Sequence, residues 1–277
     1  MKLNPPFLLL PILFFLVTNS CTKTVTKTVI DTDTVNITKT DTIIKTQIDS
    51  NINLGSGLVA YYPFNGNAND SSGNNLNGTI NGGVTFTADV AGNANSAVTF
   101  DGATGYILVP DSAQKFQTNA VTISFLVNLT NVSARQSFVT NQNFNDGTGL
   151  SYGVLISPAN INVAEFGVVN NRLGCGILVS DTNAIVSPAN TMVTNQWYSF
   201  VCIFTDSLQE FFVDGTLNNA ITRPFATLNH CANTKDLVIG AWWSGDLIPA
   251  NGSMDELRIY NRALNQNEIN ALAKPVQ

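Results

Sequence analysis

Asp255 and Asp70 are the two carboxylates whose settings call for a chemical explanation. Asp255 lies in Met254-Asp-Glu-Leu-Arg-Ile-Tyr260, which reads as a strand, and alternation places it on the face of Leu257 and Ile259. A carboxylate on an apolar face needs a partner or a metal, because burying it bare is costly. Asp70 stands in the turn from Asn65 to Asn77, rich in Asn, Asp, Ser and Gly. Such a turn supplies side-chain and carbonyl oxygens, the ligands that calcium takes about six to eight at a time. The same residues also have a plainer use, Asp255 as a cap on backbone amides and Asp70 as the head of an Asx-turn. Both readings stay open on these residues alone.

Nucleophilic chemistry lacks its parts. His230 is the one histidine, and no serine or cysteine near it stands in a nucleophile motif, which argues against a triad. Glu165 is isolated in Val163-Ala-Glu-Phe-Gly167, and Glu210 opens an ordinary strand. Asp255 and Glu256, as strand neighbours, point to opposite faces and could not flank one bond. The chain is read as a non-enzyme.

Binding chemistry is better represented. Trp242-Trp243 follow an apolar run ending at Ile239-Gly240 and lead into Ser244-Gly-Asp-Leu-Ile-Pro-Ala-Asn-Gly252. If that strand continues, adjacent tryptophans face opposite ways and at most one is core. The other, Trp243, is then free to stack on a sugar face, with Asp246 and Asn251 beside it. The competing reading packs both rings into the edge of the fold. Phe144-Asn-Asp146 is a second, weaker platform, and Trp197 is expected in the core.

The elements that must position these residues are mostly short strands. Val84-Thr-Phe86, Ala97 to Phe100, Tyr106 to Val109, Val121 to Val127, Tyr152 to Ile156, Glu210 to Val213 and Leu237 to Gly240 are β-branched or aromatic, and Asp-Gly turns separate several of them. Trp197-Tyr-Ser-Phe-Val-Cys-Ile-Phe204 is apolar on both parities except at Ser199, the pattern of a strand covered on both faces. One helix stands out: Asn265 and Glu268 form a capping box ahead of Ile269 and Leu272.

The N-terminus indicates an exported protein. Lys2 precedes Phe7 to Val17, an apolar run broken only by Pro11 and too short to span a bilayer. It ends in Thr18-Asn-Ser-Cys21, which resembles a bacterial lipobox with Cys21 as the lipidated residue. Asn19 departs from the strictest form of that motif, and the alternative is an ordinary secreted chain cut near Ser20. Residues 1–20 are thus expected to be a lipoprotein signal peptide, and residues 21–56 a lipidated cysteine followed by a tether rich in Thr, Asp and Lys. Extended, about 34 residues reach roughly 110–120 Å. The expected place is the bacterial cell envelope, as an outer-membrane lipoprotein facing either the periplasm or the outside. The membrane is touched through the lipid alone.

Residues 57–277 suit one large all-β domain. They carry 8 Lys and Arg against 15 Asp and Glu, a net of −7, which argues against a nucleic-acid partner. Cys175, Cys202 and Cys231 leave an odd count in an oxidising compartment. Cys202 falls inside the apolar strand, which leaves Cys175–Cys231 as the expected disulfide.

Several landmarks recur in order: Tyr61-Tyr-Pro-Phe-Asn-Gly66, Asp70-Ser-Ser-Gly-Asn-Asn-Leu-Asn-Gly78, Phe100-Asp-Gly102, the Trp197 strand, Phe212-Val-Asp-Gly215, Ile239-Gly240 and Met254 to Leu264. Together they resemble a laminin-G-like domain of the concanavalin A-like lectin/glucanase superfamily. That resemblance implies a jelly-roll β-sandwich of two antiparallel sheets, its first and last strands adjacent, with one short C-terminal helix. It also implies that the Asp70 turn and Asp255 meet at one end, where such domains often hold a structural calcium. Asp70, Asn75 and Asp255 are the expected ligands. Relatives that are glucanases carry Glu-x-Asp-x-x-Glu on one strand face, and no such string occurs here. The preferred function is non-catalytic recognition of a glycan or another extracellular ligand, for attachment or polysaccharide capture, ahead of a glycoside hydrolase whose two acids would have to converge in space. The alternative is an adhesive module binding an extracellular or envelope protein.

Overall fold

In the computed structural model the described residues lie between 52 and 273, without 114, 117, 119, 143–149, 158–162, 168–183, 187–191, 206, 223–235 and 243–247. Among them fifteen strands precede one helix: β1 (Leu58–Tyr62), β2 (Thr79–Asn81), β3 (Val84–Thr87), β4 (Ala97–Asp101), β5 (Tyr106–Val109), β6 (Val121–Leu129), β7 (Gln136–Gln142), β8 (Leu150–Ser157), β9 (Val163–Gly167), β10 (Ala184–Val186), β11 (Trp197–Phe204), β12 (Leu208–Val213), β13 (Thr216–Thr222), β14 (Leu237–Ile239), β15 (Asn251–Tyr260) and α1 (Gln266–Leu272). No helix among these residues is long and apolar enough to cross a membrane.

The strands form two antiparallel sheets. One runs β13-β12-β11-β6-β15-β4-β3, with β1 also paired to β15, and the other runs β10-β9-β8-β7-β14-β5-β2. First and last strands are adjacent, as the resemblance implies. Strand β15 has two partners on one side: β4 takes Asn251 to Met254 and β1 takes Leu257 to Tyr260, while β6 runs along the other side.

Alternation decides what enters the space between the sheets. Val121, Ile123, Phe125, Val127 and Leu129 of β6 point inward, as do Tyr198, Phe200, Cys202 and Phe204 of β11. Phe125 meets Phe200 edge-on at 5.5 Å between ring centroids, Phe200 meets Phe211 at 5.1 Å, and Phe125 stacks at 6.3 Å on Phe138 of the opposite sheet. Each such pair adds about 0.5–1.5 kcal/mol beyond area burial. Gly240, at φ 88, closes β14 against the Phe100 ring, where a Cβ would collide with ring carbons.

A second, smaller core lies on the outer side of the larger sheet. Val201, Ile203, Phe212 and Tyr260 are covered there by Leu264 and by Ile269 and Leu272 of α1, with Leu54 and Leu58 packed against them. The helix is fastened by the expected capping box, and Glu268 also receives both terminal nitrogens of Arg262, at 2.9 and 2.6 Å. Strand β11 is therefore covered on both faces over Val201 and Ile203. Leu54 belongs to this packing, so the folded chain starts ahead of Gly57.

Candidate functional site

The closing strand does not alternate as expected. Between Asp255 and Arg258 its register against β6 slips, from Asp255 opposite Leu126 to Arg258 opposite Ser124, and Glu256 takes the left-handed backbone at φ 54. The extra residue is a β-bulge, which shifts parity by one. Met254, Leu257 and Ile259 all enter the inner core, so Asp255 lies on the other face, away from Leu257 and Ile259. Glu256 is redirected too. Its carboxylate accepts from the Tyr61 hydroxyl at 2.8 Å and pairs with Arg258 at 2.5 Å, both on the outer face, so the expected opposition of Asp255 and Glu256 does not hold.

Asp255 is 4% exposed, and one oxygen accepts from the Glu256 N–H at 2.7 Å. Burial first, then repulsion from Glu256 and more weakly from Asp89, lifts its carboxyl to about 7, against that N–H and Arg258. Burial likewise holds the Tyr61 phenol above its usual range, with Arg258 opposing.

The Asp70 carboxylate is fully engaged by the protein. One oxygen accepts from Tyr61 N and Ser72 N at 3.0 and 2.8 Å, and the other from Ser72 Oγ and Leu76 N at 2.9 and 3.0 Å. Asn77 receives the Asp70 N–H, and Asn74 donates to the carbonyls of Leu58 and Val59. Asn75 supplies a left-handed residue, φ 59, at which the turn reverses. Two donors on each oxygen leave Asp70 no lone pair for a cation, and the hydrogen bonds of Asp70 and of Asp255 go to different partners. Nor does any group of three or more His, Cys, Asp or Glu among those residues stand close enough to hold a metal. Calcium at Asp70, Asn75 and Asp255 does not fit this arrangement.

Of the expected aromatic site, Trp243 and Asp246 lie outside the described residues, as do Cys21, Cys175, Cys231, His230 and Phe144. Trp242 is buried beneath the Arg135 guanidinium, 5.7 Å from its ring centre, and the Thr140 hydroxyl donates to the Trp242 carbonyl. Asn251 opens β15 instead of ending a loop. Its N–H donates to Gln136 Oε1 at 2.7 Å, and its backbone pairs with Asp101. Cys202 is buried in the inner core with a free thiol.

Trp197 is where the structure departs furthest from expectation. Tyr198, Phe200, Cys202 and Phe204 take the inner face, so Trp197 falls on the outer one, half-buried and preceded by the exposed Asn195 and Gln196. It pairs with Asn128, Asn128 with Ser253, Ser253 with Thr99, and Thr99 with Thr85, one residue from each of five adjacent strands. The Thr99 and Ser253 hydroxyls are 2.8 Å apart. In the next register stand Asn251 and the exposed Asp101. A sequence signal existed, because Ser199, the one polar residue of that strand, shares its parity with Trp197.

The model of the concanavalin A-like lectin/glucanases superfamily matches residues 101–270. The chain belongs to that superfamily. No curated protein matches it. Among solved structures, this superfamily member is similar to domain 4 of AbnA, a GH43 extracellular arabinanase from Geobacillus stearothermophilus, in complex with arabinotriose. They share 20% identity at a TM-score of 0.57, over 78% of this chain and 98% of that one. It is also similar to the receptor-binding domain of botulinum neurotoxin C/D mosaic serotype, with 14% identity and a TM-score of 0.60 over 79% of this chain. The binding domain of botulinum neurotoxin DC, in complex with rat synaptotagmin II, gives 14% and 0.56 over 81%. This chain spans about half of each toxin domain, 51% and 53%. At such identities the likeness is one of fold.

Proposed function

We propose that this chain is a lipid-anchored protein of the bacterial envelope whose domain binds carbohydrate and does not transform it. The observation that carries the ligand class is the likeness to the arabinanase domain in complex with arabinotriose, which extends over 98% of that domain. The chain's own support is Trp197, an indole set among amides and hydroxyls, since sugars combine an apolar ring face with a rim of hydroxyls.

Four carboxylates near the closing strand and the Trp197 row give catalysis no support. Glycoside hydrolysis takes two of them facing one bond, about 5–9.5 Å apart. Glu256 is committed to Tyr61 and Arg258, Asp255 is nearly closed to water, and Asp70 and Asp101 spend both oxygens on the surrounding chain. The anchor and the compartment rest on the run from Lys2 to Cys21.

Binding of the full chain to a panel of soluble polysaccharides and glycans tests the ligand class. Specific binding without release of reducing ends is expected. Silence from folded protein would move the reading to a protein partner, for which the likeness to toxin receptor-binding domains is the support. Metabolic labelling with palmitate tests the anchor: label on the parent and none on Cys21→Ser is expected.

A further inference from the structure

The outer face of the larger sheet changes character along its length. Under α1 it is apolar and covered by Ile269 and Leu272. Past the Glu256 bulge it becomes polar, and the row of Trp197, Asn128, Ser253, Thr99 and Thr85 crosses it in register. The neighbours of these residues, among them Tyr198, Val127, Met254, Val98 and Phe100, are buried in the inner core. Core packing therefore pins the row in place, while the row itself adds nothing to the core. Thr85 is exposed and the other four are part-exposed.

We propose that this row is a binding track for an extended, uncharged polysaccharide lying across the strands, with one sugar stacked on Trp197 and the following sugars meeting Asn128, Ser253 and Thr99. The inference rests on the carbohydrate reading and adds its place and its class. Charge selects the occupant first. The row holds no cation, and the Asp101 carboxylate beside it stays ionised: desolvation raises its carboxyl, but its four hydrogen bonds together outweigh that and draw it down to about 2, so an anionic polymer is repelled. Spacing comes next. Adjacent strands lie about 4.8 Å apart, close to the advance of one sugar along an extended pyranose chain, so successive sugars meet successive strands. Chemistry agrees as well: amide and hydroxyl side chains both donate and accept, as sugar hydroxyls do, and the indole takes the apolar ring face. A protein partner would find one aromatic anchor in this row, and the other four residues are amide or hydroxyl side chains.

The test is affinity electrophoresis of the full chain in gels containing linear arabinan, mixed-linkage β-glucan or glucomannan, with polygalacturonate as the anionic control. We expect retardation by at least one neutral polymer and none by polygalacturonate. Trp197→Ala should weaken that retention by about tenfold or more. Thr85→Lys alters only an exposed side chain, so it keeps the fold while laying a long cationic chain over the track, and it should weaken retention as well. Neutral-polymer binding that both variants leave unchanged would overturn this track and leave the carbohydrate reading standing. Preferential binding of polygalacturonate would overturn the stated class. No binding to any polymer by a folded parent would overturn both.

Discussion

The Arg258 guanidinium lies 4.0 Å from the centre of the Tyr61 ring, and this stack ties the last strand of the domain to its first. The two residues are also register partners, and Glu256 completes the group by accepting from Tyr61 and pairing with Arg258. The bulge is what brings a carboxylate to this side of the sheet.

Arg258→Ala removes the stack and the ion pair together. A partly exposed cation–π contact contributes about 0.5–1 kcal/mol and a surface ion pair about 0–1 kcal/mol, so urea denaturation should show a loss of about 0.5–2 kcal/mol. Arg258→Lys should restore part of it, because an ammonium keeps the charge and lacks the planar face. A variant as stable as the parent would mean that backbone pairing alone holds the two strands.

Asp255 gives the domain a pH dependence with a definite sign. Its folded value of about 7 lies above the ordinary 3.8, so across that interval the folded state holds a proton that the unfolded chain has released. The stability it allows is fully present below the lower value and falls as pH rises through the upper one. Asp255→Asn cannot ionise and should flatten this slope, gaining on the parent between pH 4.5 and 7.5. Each kcal/mol recovered raises Tm by about 2–4 °C. An offset between the two proteins that stays constant with pH would rule out Asp255 as the titrating group.

Asp101 acts with the opposite sign. Desolvation raises its carboxyl, but one oxygen accepts from the N–H groups of Ala103, Thr104 and Gly105 and the other from Thr104 Oγ1, and together these draw it to about 2. Its stabilisation is fully present above the ordinary 3.8 and is lost as pH falls from there through about 2. Asp101→Ala should cost about 1–2 kcal/mol at neutral pH, an effect reduced by solvent at this exposed site, and less at pH 2.5. Thermal melts of both proteins at the two pH values measure the difference.

The Asp70 turn should be indifferent to calcium. Its four donors are all protein groups, so Asp70→Ala should lower stability by about 2–3 kcal/mol and by the same amount in calcium and in EDTA. Scanning calorimetry in the two buffers provides the comparison. A loss of stability in EDTA that disappears in Asp70→Ala would bring the metal back to this turn.

The strand pattern was legible because short β-branched and aromatic runs between Asp-Gly turns have few other ways to fold. Trp197–Phe204 and the Asn265 capping box lie where the sequence puts them. The faces of β15 were not legible, because a bulge leaves no mark on composition. Alternation carried through Glu256 assigns Asp255 to the wrong side, and the pairing seen in space depends on a single left-handed residue. Trp197 was misplaced for a different reason. Its strand is apolar on both parities, and only the position of α1 along the outer face reveals that Val201 and Ile203 are covered there while Trp197, at the strand's start, is not.

Strand β15 also has a mechanical meaning. A pull on the chain ahead of Leu58 reaches β15 at its Tyr260 end, through β1, whereas the Trp197 row crosses it at Ser253. The direct covalent path between the two points runs lengthwise along this one strand, which is bonded on its far side to β6 and steadied at mid-span by the Tyr61–Glu256–Arg258 group. It serves the domain as a tendon, with the bulge as the seam where its neighbour changes from β4 to β1.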